Sequence, residues 1–108
     1  MIYKEARQRL RGSISPVITP FNEDESIDFK KFSELINWHI DSGSHGISVT
    51  GTTGEPSSLT IEEREQVMEA ASKTINKRVP FVPGTGSTNH QETLRLTKAA
   101  ADMGADGA

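Results

Sequence analysis

Gly46-Ile-Ser-Val-Thr-Gly-Thr-Thr-Gly-Glu55, followed at once by Pro56-Ser-Ser-Leu-Thr-Ile-Glu-Glu-Arg64, is the stretch whose reading decides the fold. Gly46 to Gly51 is a short run rich in β-branched residues, which reads as a strand. Thr52 to Leu59 is polar and holds Gly54 and Pro56, which makes it a loop. Thr60-Ile-Glu-Glu63 is a capping box: the Thr hydroxyl and the Glu carboxylate each satisfy a free N–H of a starting helix. That helix is expected to run to about Asn76 and to bury Val67, Ala70, Ala71 and Thr74. Strand, glycine-bearing loop and capped helix in this order form one βα unit.

The same unit appears on both sides. Upstream, Ser13 to Phe21 reads as a strand whose prolines place it at an edge or a strand exit. Asp28 to Ser42 reads as a helix, with Phe29, Phe32, Leu35, Ile36 and Ile40 on one face at three- and four-residue steps. Asp28 suits its N-cap and Gly43 the left-handed position after its end. Downstream, Arg78 to Val82 reads as a third strand and Gly84-Thr-Gly86 as the turn out of it. Thr88-x-x-Gln91 offers a second capping box for a helix to Met103, and Gly104 suits its C-terminus. Gly43-Ser-His-Gly46 and Gly104-Ala-Asp-Gly107 share a Gly-x-x-Gly frame, with Gly46 and Gly107 61 residues apart. Two βα units of about 30 residues give that spacing.

Strand–helix alternation predicts an α/β fold with a parallel sheet. Three such units fill the 108 residues, whereas a (β/α)8 barrel needs about 250 residues. The chain is therefore expected to be a fragment, or the ordered part of a longer chain, that stops where a fourth strand should begin. Residues 1–11 would form an N-terminal arm and residues 12–108 the incomplete barrel domain.

Composition excludes several function classes. The formal net charge is −3 and no basic block is present, which argues against nucleic acid. There is no cysteine, so disulfides, thiolate metal sites and a cysteine nucleophile are all excluded. Met1 to Gly12 lacks the apolar core of a secretory signal, and no apolar run reaches the length of a membrane span. A cytoplasmic location is expected, with no membrane partner. His39, His45 and His90 are scattered without metal-ligand spacing, so no metal is expected. Trp38 is assigned to packing. Gly84-Thr-Gly-Ser-Thr88 precedes a helix, but no Gly-Lys-Ser/Thr follows, so it is not a phosphate-binding P-loop.

Gly51-Thr-Thr-Gly-Glu55 is the segment best suited to chemistry. It follows a strand directly, at the end where parallel α/β proteins build their sites. Two adjacent hydroxyls between glycines, with free backbone N–H groups, can hold a carboxylate. The same residues can also make a tight loop whose Thr hydroxyls bond their own backbone. Residues alone leave both readings open.

Taken together, these motifs resemble the dihydrodipicolinate synthase and N-acetylneuraminate lyase family. The resemblance rests on Thr19-Pro20-Phe21 after the first strand, with the acidic turn Asn22 to Asp28. It rests further on Gly51 to Glu55 with Leu59-Thr60-x-Glu62-Glu63-Arg64, and on Val79-Pro80 with Gly84-Thr85-Gly86. It covers roughly residues 11 to 108. It implies an α/β fold made of the first three βα units of a TIM barrel, truncated at the start of strand 4, in a lyase of the pyruvate aldolase class that acts through an imine between a lysine and pyruvate, with no cofactor. By resemblance, Thr52 is the catalytic hydroxyl that passes protons between two tyrosines. Thr53 holds the pyruvate carboxylate, and Gly51, Gly54 and Glu55 support the loop, Glu55 by accepting backbone N–H bonds.

The partners implied are pyruvate and an aldehyde, with a homo-tetramer or dimer as the assembly. The lysines here, Lys4, Lys30, Lys31, Lys73, Lys77 and Lys98, lie in the arm, on helices or at helix ends. The imine lysine and the relay tyrosines are therefore expected outside this chain, whose one tyrosine is Tyr3. Gly-Thr-Thr-Gly-Glu points to condensation of pyruvate with aspartate semialdehyde in lysine biosynthesis. The sugar-acid aldolases and dehydratases of the family also use the Thr-Thr form and are the alternative; Pro16 stands where the biosynthetic branch often has a small residue. A non-catalytic truncated chain is the reading from another class. Lysine-inhibited members carry histidines at the positions of Ile61 and Arg64 and an Asn at Thr88. Only Glu92 keeps that effector pattern, so lysine inhibition is not expected.

Overall fold

A computed structural model describes residues 2–108; Met1 lies outside the described residues. In chain order the elements are α1 (Tyr3–Arg9), β1 (Ile14–Pro16), α2 (Phe29–Asp41), β2 (Gly46–Ser48), α3 (Ile61–Ile75) and α4 (His90–Asp102). Strands β1 and β2 pair in parallel, with Ile14 opposite Gly46 and Pro16 opposite Ser48. Helix α3 packs between α2 and α4. The core lies where these helices meet the strands: Val17, Ile47, Val49 and Phe81 from the sheet side, and Phe32, Ile36, Val67, Met68, Ala71, Ile75 and Leu96 from the helices.

The helices start and stop for local reasons. The Asp28 carboxylate accepts the Lys31 N–H at 2.9 Å and caps α2. Thr60 and Glu63 form the expected reciprocal box at α3, with bonds of 2.9 and 3.1 Å. Gly43 (φ +102°) and Gly104 (φ +81°) take the left-handed conformation after α2 and α4. The buried side of α3 is Arg64, Val67, Met68, Ala71 and Ile75, so Ala70 and Thr74 sit at its margin.

The α4 cap is one residue later than expected. Asn89, not Thr88, accepts the N3 backbone N–H, that of Glu92, at 3.1 Å. The Glu92 carboxylate turns instead to the Ser87 hydroxyl at 2.8 Å. Asn is among the strongest N-caps, and it displaces the box that Thr88 and Gln91 would have made.

The third strand is reduced to a single parallel bridge, Phe81 against Ile47. Pro80 and Pro83 flank it and donate nothing to a ladder. The segment still follows β2 closely: Ile47 N donates to Pro80 O, Val82 N to Ile47 O and Gly84 N to Val49 O, at 2.8–2.9 Å. On its other side Phe81 N donates to the Asp106 carboxylate, and Asp106 N returns to Phe81 O. Asp106 also holds Arg9 of α1 at 2.7 Å. Burial pushes the Asp106 carboxyl up, but the bonds from Arg9 and Phe81 outweigh it and leave it below its ordinary value. Trp38 does not pack inward: it is 61% exposed on α2, edge-on to His39.

Residues 1–108 made by themselves display a narrow sheet, β1 and β2 flanked on one side by the Phe81 segment, and leave Ile18 and Phe21 exposed beside it. Such a chain is expected to bind a hydrophobic dye, to show weak near-ultraviolet circular dichroism and to melt without a sharp transition. A soluble monomer with a cooperative melt would count against this.

Candidate functional site

The exit of β2 builds the site. After Ser48 the chain continues extended through Val49 and then turns at Thr50, whose φ is +54°. A β-branched residue in the left-handed region is a genuine outlier, costing on the order of 1–3 kcal/mol. The surroundings hold it there. The buried Thr50 hydroxyl shares its single proton between Val49 O at 2.6 Å and Gly84 O at 2.9 Å.

Thr52–Gly54 then form one turn of 3-10 helix, and Pro56–Ser58 a second. Gly54 N donates to Gly51 O, Glu55 N to Thr52 O and Ser58 N to Glu55 O. From the segment that follows β1, the buried Thr19 hydroxyl donates to Gly54 O at 2.8 Å and ties the turn to that segment. Gly54 itself is buried, and a Cβ there would stand 3.3 Å from that hydroxyl. Glu55 supports the loop by its backbone, in the left-handed conformation, and not by its carboxylate as expected. Its side chain is exposed and accepts no backbone N–H among the described residues. Within the loop the 3-10 turns bond the N–H groups of Gly54, Glu55, Ser58 and Leu59 to backbone carbonyls.

Thr52 and Thr53 lie side by side on the first turn, both exposed. Among the described residues, neither hydroxyl bonds the protein. The self-bonded arrangement that the sequence left open is made by Thr50 instead. The site therefore presents two adjacent free hydroxyls on a braced turn at the strand exit, beside the Gly51 backbone. Such a pair can bind an anionic or carbonyl oxygen or relay a proton.

Sequence reasoning missed the bracing residues. Thr19 was visible only as part of a motif, and Thr50 as a strand residue. Thr85, buried at the third exit, accepts a bond from the Thr97 hydroxyl at 2.9 Å. Arg64 is 5% exposed and donates to Gly86 O at 2.7 Å and to Gly84 O at 2.9 Å. Burial pulls its pKa down from the ordinary value, and the Glu92 carboxylate opposes that shift. A cavity of about 490 Å³ lies beside it and collects Ile61, Arg64, Thr88 and Glu92, together with Pro56, Ser57 and Leu59.

The other candidates lie apart. Each lysine is on a helix, except Lys77 just after α3. His45 accepts the Ser13 N–H on Nδ1 at 2.9 Å, a structural bond. Among the described residues no three His, Asp or Glu side chains converge on a metal position, and no helix is long and apolar enough to cross a membrane.

Parallel strands, helices packed against them and a hydroxyl-bearing turn at the strand exit define an α/β chain with a candidate site at the exit face. The chain belongs to the dihydrodipicolinate synthetase family, whose model matches residues 9–108. It is 46% identical over 97 residues to the 4-hydroxy-tetrahydrodipicolinate synthase of Neisseria meningitidis serogroup C, covering 90% of this chain and 33% of that protein. It is similar to the dihydrodipicolinate synthase of Acinetobacter baumannii, solved with pyruvate: TM-score 0.84, 44% identity, 89% of this chain and 33% of that one. It is also similar to the N-acetylneuraminate lyase of Mycoplasma synoviae: TM-score 0.88, 29% identity, 92% of this chain and 34% of that one. The chain thus spans about a third of the length of these relatives, over their N-terminal part.

Gly84 offers a direct test of the bracing. A Cβ there would stand 2.6 Å from Thr50 O and 3.0 Å from Gly51 backbone atoms, whereas one at Gly86 meets nothing within 4 Å. In the complete protein Gly84→Ala is expected to destabilise by about 1–3 kcal/mol, as overpacking does, and Gly86→Ala by much less. Equal melting temperatures for the two variants would show that Gly84 is not a close-contact point.

Proposed function

We propose that this chain is the N-terminal portion of an imine-forming, pyruvate-dependent lyase, and that the enzyme is a 4-hydroxy-tetrahydrodipicolinate synthase condensing pyruvate with aspartate semialdehyde. The observation that carries this reading is the pair of unpartnered hydroxyls, Thr52 and Thr53, on a turn tied by Thr19 to the segment after β1 and by Thr50 to the third segment. The pyruvate complex of the Acinetobacter relative supports the substrate, and the identities of 44–46% to synthases support the branch. The likeness to N-acetylneuraminate lyase keeps a sugar-acid aldolase as the second reading. A cytoplasmic homo-oligomer is part of the proposal.

In this mechanism a lysine supplied by the rest of the enzyme attacks the pyruvate ketone. Water leaves, and the protonated imine withdraws electrons so that the methyl carbon loses a proton and attacks the aldehyde. Each step moves a proton. Thr52, whose hydroxyl both donates and accepts, serves as a link in that relay with tyrosines from the rest of the enzyme. Thr53 donates to the pyruvate carboxylate and fixes the ketone relative to the amine.

The two threonines are expected to fail differently in the complete enzyme. Thr52→Val should lower kcat by about a hundredfold to ten-thousandfold with little change in KM for pyruvate. Thr52→Ser should retain much of the activity. Thr53→Val removes a charge-assisted hydrogen bond worth about 1.5–3 kcal/mol and should mainly raise KM for pyruvate. Steady-state kinetics with melting temperatures checks both. Near-normal kcat and KM in both valine variants would leave the loop purely structural.

The cavity beside α3 bears on regulation. Its Ile61 offers no polar group, Arg64 spends two donors on Gly84 and Gly86, and Glu92, already bonded by the Ser87 hydroxyl on one oxygen, is left as the one carboxylate lining it. An apolar side chain and a donor-only guanidinium cannot accept bonds from an amino acid's ammonium group. The complete enzyme is expected to keep most of its activity in millimolar lysine. Saturable, strong inhibition would overturn this.

A further inference from the structure

We propose that Arg64 is a positioning residue for the threonine turn, acting through the carbonyl of Gly84. The geometry is a relay of fixed contacts. Arg64 comes from the first turn of α3 and reaches the exit of the third segment, where its two terminal nitrogens hold Gly84 O and Gly86 O at 2.9 and 2.7 Å. Gly84 O is also the acceptor for the Thr50 hydroxyl, at 2.9 Å. Two donors from two elements thus meet on one oxygen. One is the group that keeps Thr50 in its left-handed conformation, and Thr50 stands two residues before Thr52. Gly84 also sits so close to the turn that a Cβ on it would stand 2.6 Å from Thr50 O and 3.0 Å from Gly51 backbone atoms.

The side chain is otherwise costly where it sits. It is buried, it forms no ion pair within 4 Å among the described residues, and its Nε has no partner. A buried guanidinium with only carbonyl acceptors is weak evidence for stability, and an apolar side chain of similar volume is often neutral or better there. Its fork geometry does something no apolar residue can: it holds two carbonyls of one loop at a fixed separation.

The inference rests on the site reading given above, since it assigns a role toward Thr52 and Thr53. The test uses the complete enzyme with Arg64→Met, Arg64→Lys, Thr53→Val and the double variant Arg64→Met/Thr53→Val. Arg64→Met should keep the fold by circular dichroism, yet lower kcat and raise KM for pyruvate, so that kcat/KM falls by about tenfold to a hundredfold. Arg64→Lys, which can still reach one carbonyl, should recover part of the loss. In the Thr53→Val background the effect of Arg64→Met should shrink, because a turn already lacking its carboxylate donor has less alignment to lose. Wild-type kinetics for Arg64→Met, or an equal loss with and without Thr53, would overturn the proposal. If Arg64→Met does not fold, Arg64→Lys decides: partial loss supports the role, wild-type kinetics overturns it. Failure of both to fold would make Arg64 a stability residue and also overturn it. Unchanged kinetics for Thr53→Val alone would sink the site reading itself, whereas a raised KM there with inert Arg64 variants sinks only this inference.

Discussion

The backbone of Gly84 lies against the backbone of Thr50 and Gly51, and the candidate site depends on that contact. Gly84 N completes the parallel ladder to Val49 O, and Gly84 O receives both the Thr50 hydroxyl and the Arg64 guanidinium. Any side chain would meet Thr50 O at 2.6 Å. One residue without a Cβ therefore joins the sheet, the strained turn and helix α3 at a single point. Backbone that must turn sharply after a strand has orphan groups to satisfy, and here their partners come from three different elements.

That arrangement follows from parallel pairing. In a parallel sheet all strands leave on the same face, so their exits are neighbours, and the residues there must bond one another or a ligand. The lower part of the sheet is apolar, with Val17, Ile47, Val49 and Phe81 packed under the helices. At the exits the buried residues change to Thr19, Thr50 and Thr85, each bonded to a carbonyl or hydroxyl across the gap. Threonine suits this border: its methyl continues the apolar layer and its hydroxyl satisfies the loops above.

The helices were legible in the sequence because their signals are local. Period, cap and left-handed glycine act within one element, and α2 and α3 start where Asp28 and Thr60 put them. The third strand was legible as an apolar run, but its extent was not, since Pro80 and Pro83 limit the ladder and Asp106 completes it from 25 residues away. The cap of α4 slipped by one because Thr88 and Asn89 both suit the position, and only packing chooses between them. Trp38 was misplaced because an apolar residue just off the helix stripe gives no hint of which side it rolls toward. Arg64 sits inside a strong motif, yet nothing local says that a guanidinium will be buried.

Three hydroxyls within four residues, Thr50, Thr52 and Thr53, show why the site could be located but not assigned from sequence. They are the same side chain with opposite fates. Thr50 is turned inward by a left-handed backbone and spends its hydroxyl on Gly84, while Thr52 and Thr53 ride a 3-10 turn that leaves theirs unbonded. The division is made by backbone conformation, and the conformation is set by contacts with the segment after β1, α3 and the third segment. A loop that had to bond its own hydroxyls to stay folded would have none left for a ligand. With Thr19 bonded to Gly54 O and Thr50 to Gly84 O, this turn is braced without consuming the two groups at its tip. Rigid placement with unspent donors is what a site needs to bind an oxygen ligand in one orientation.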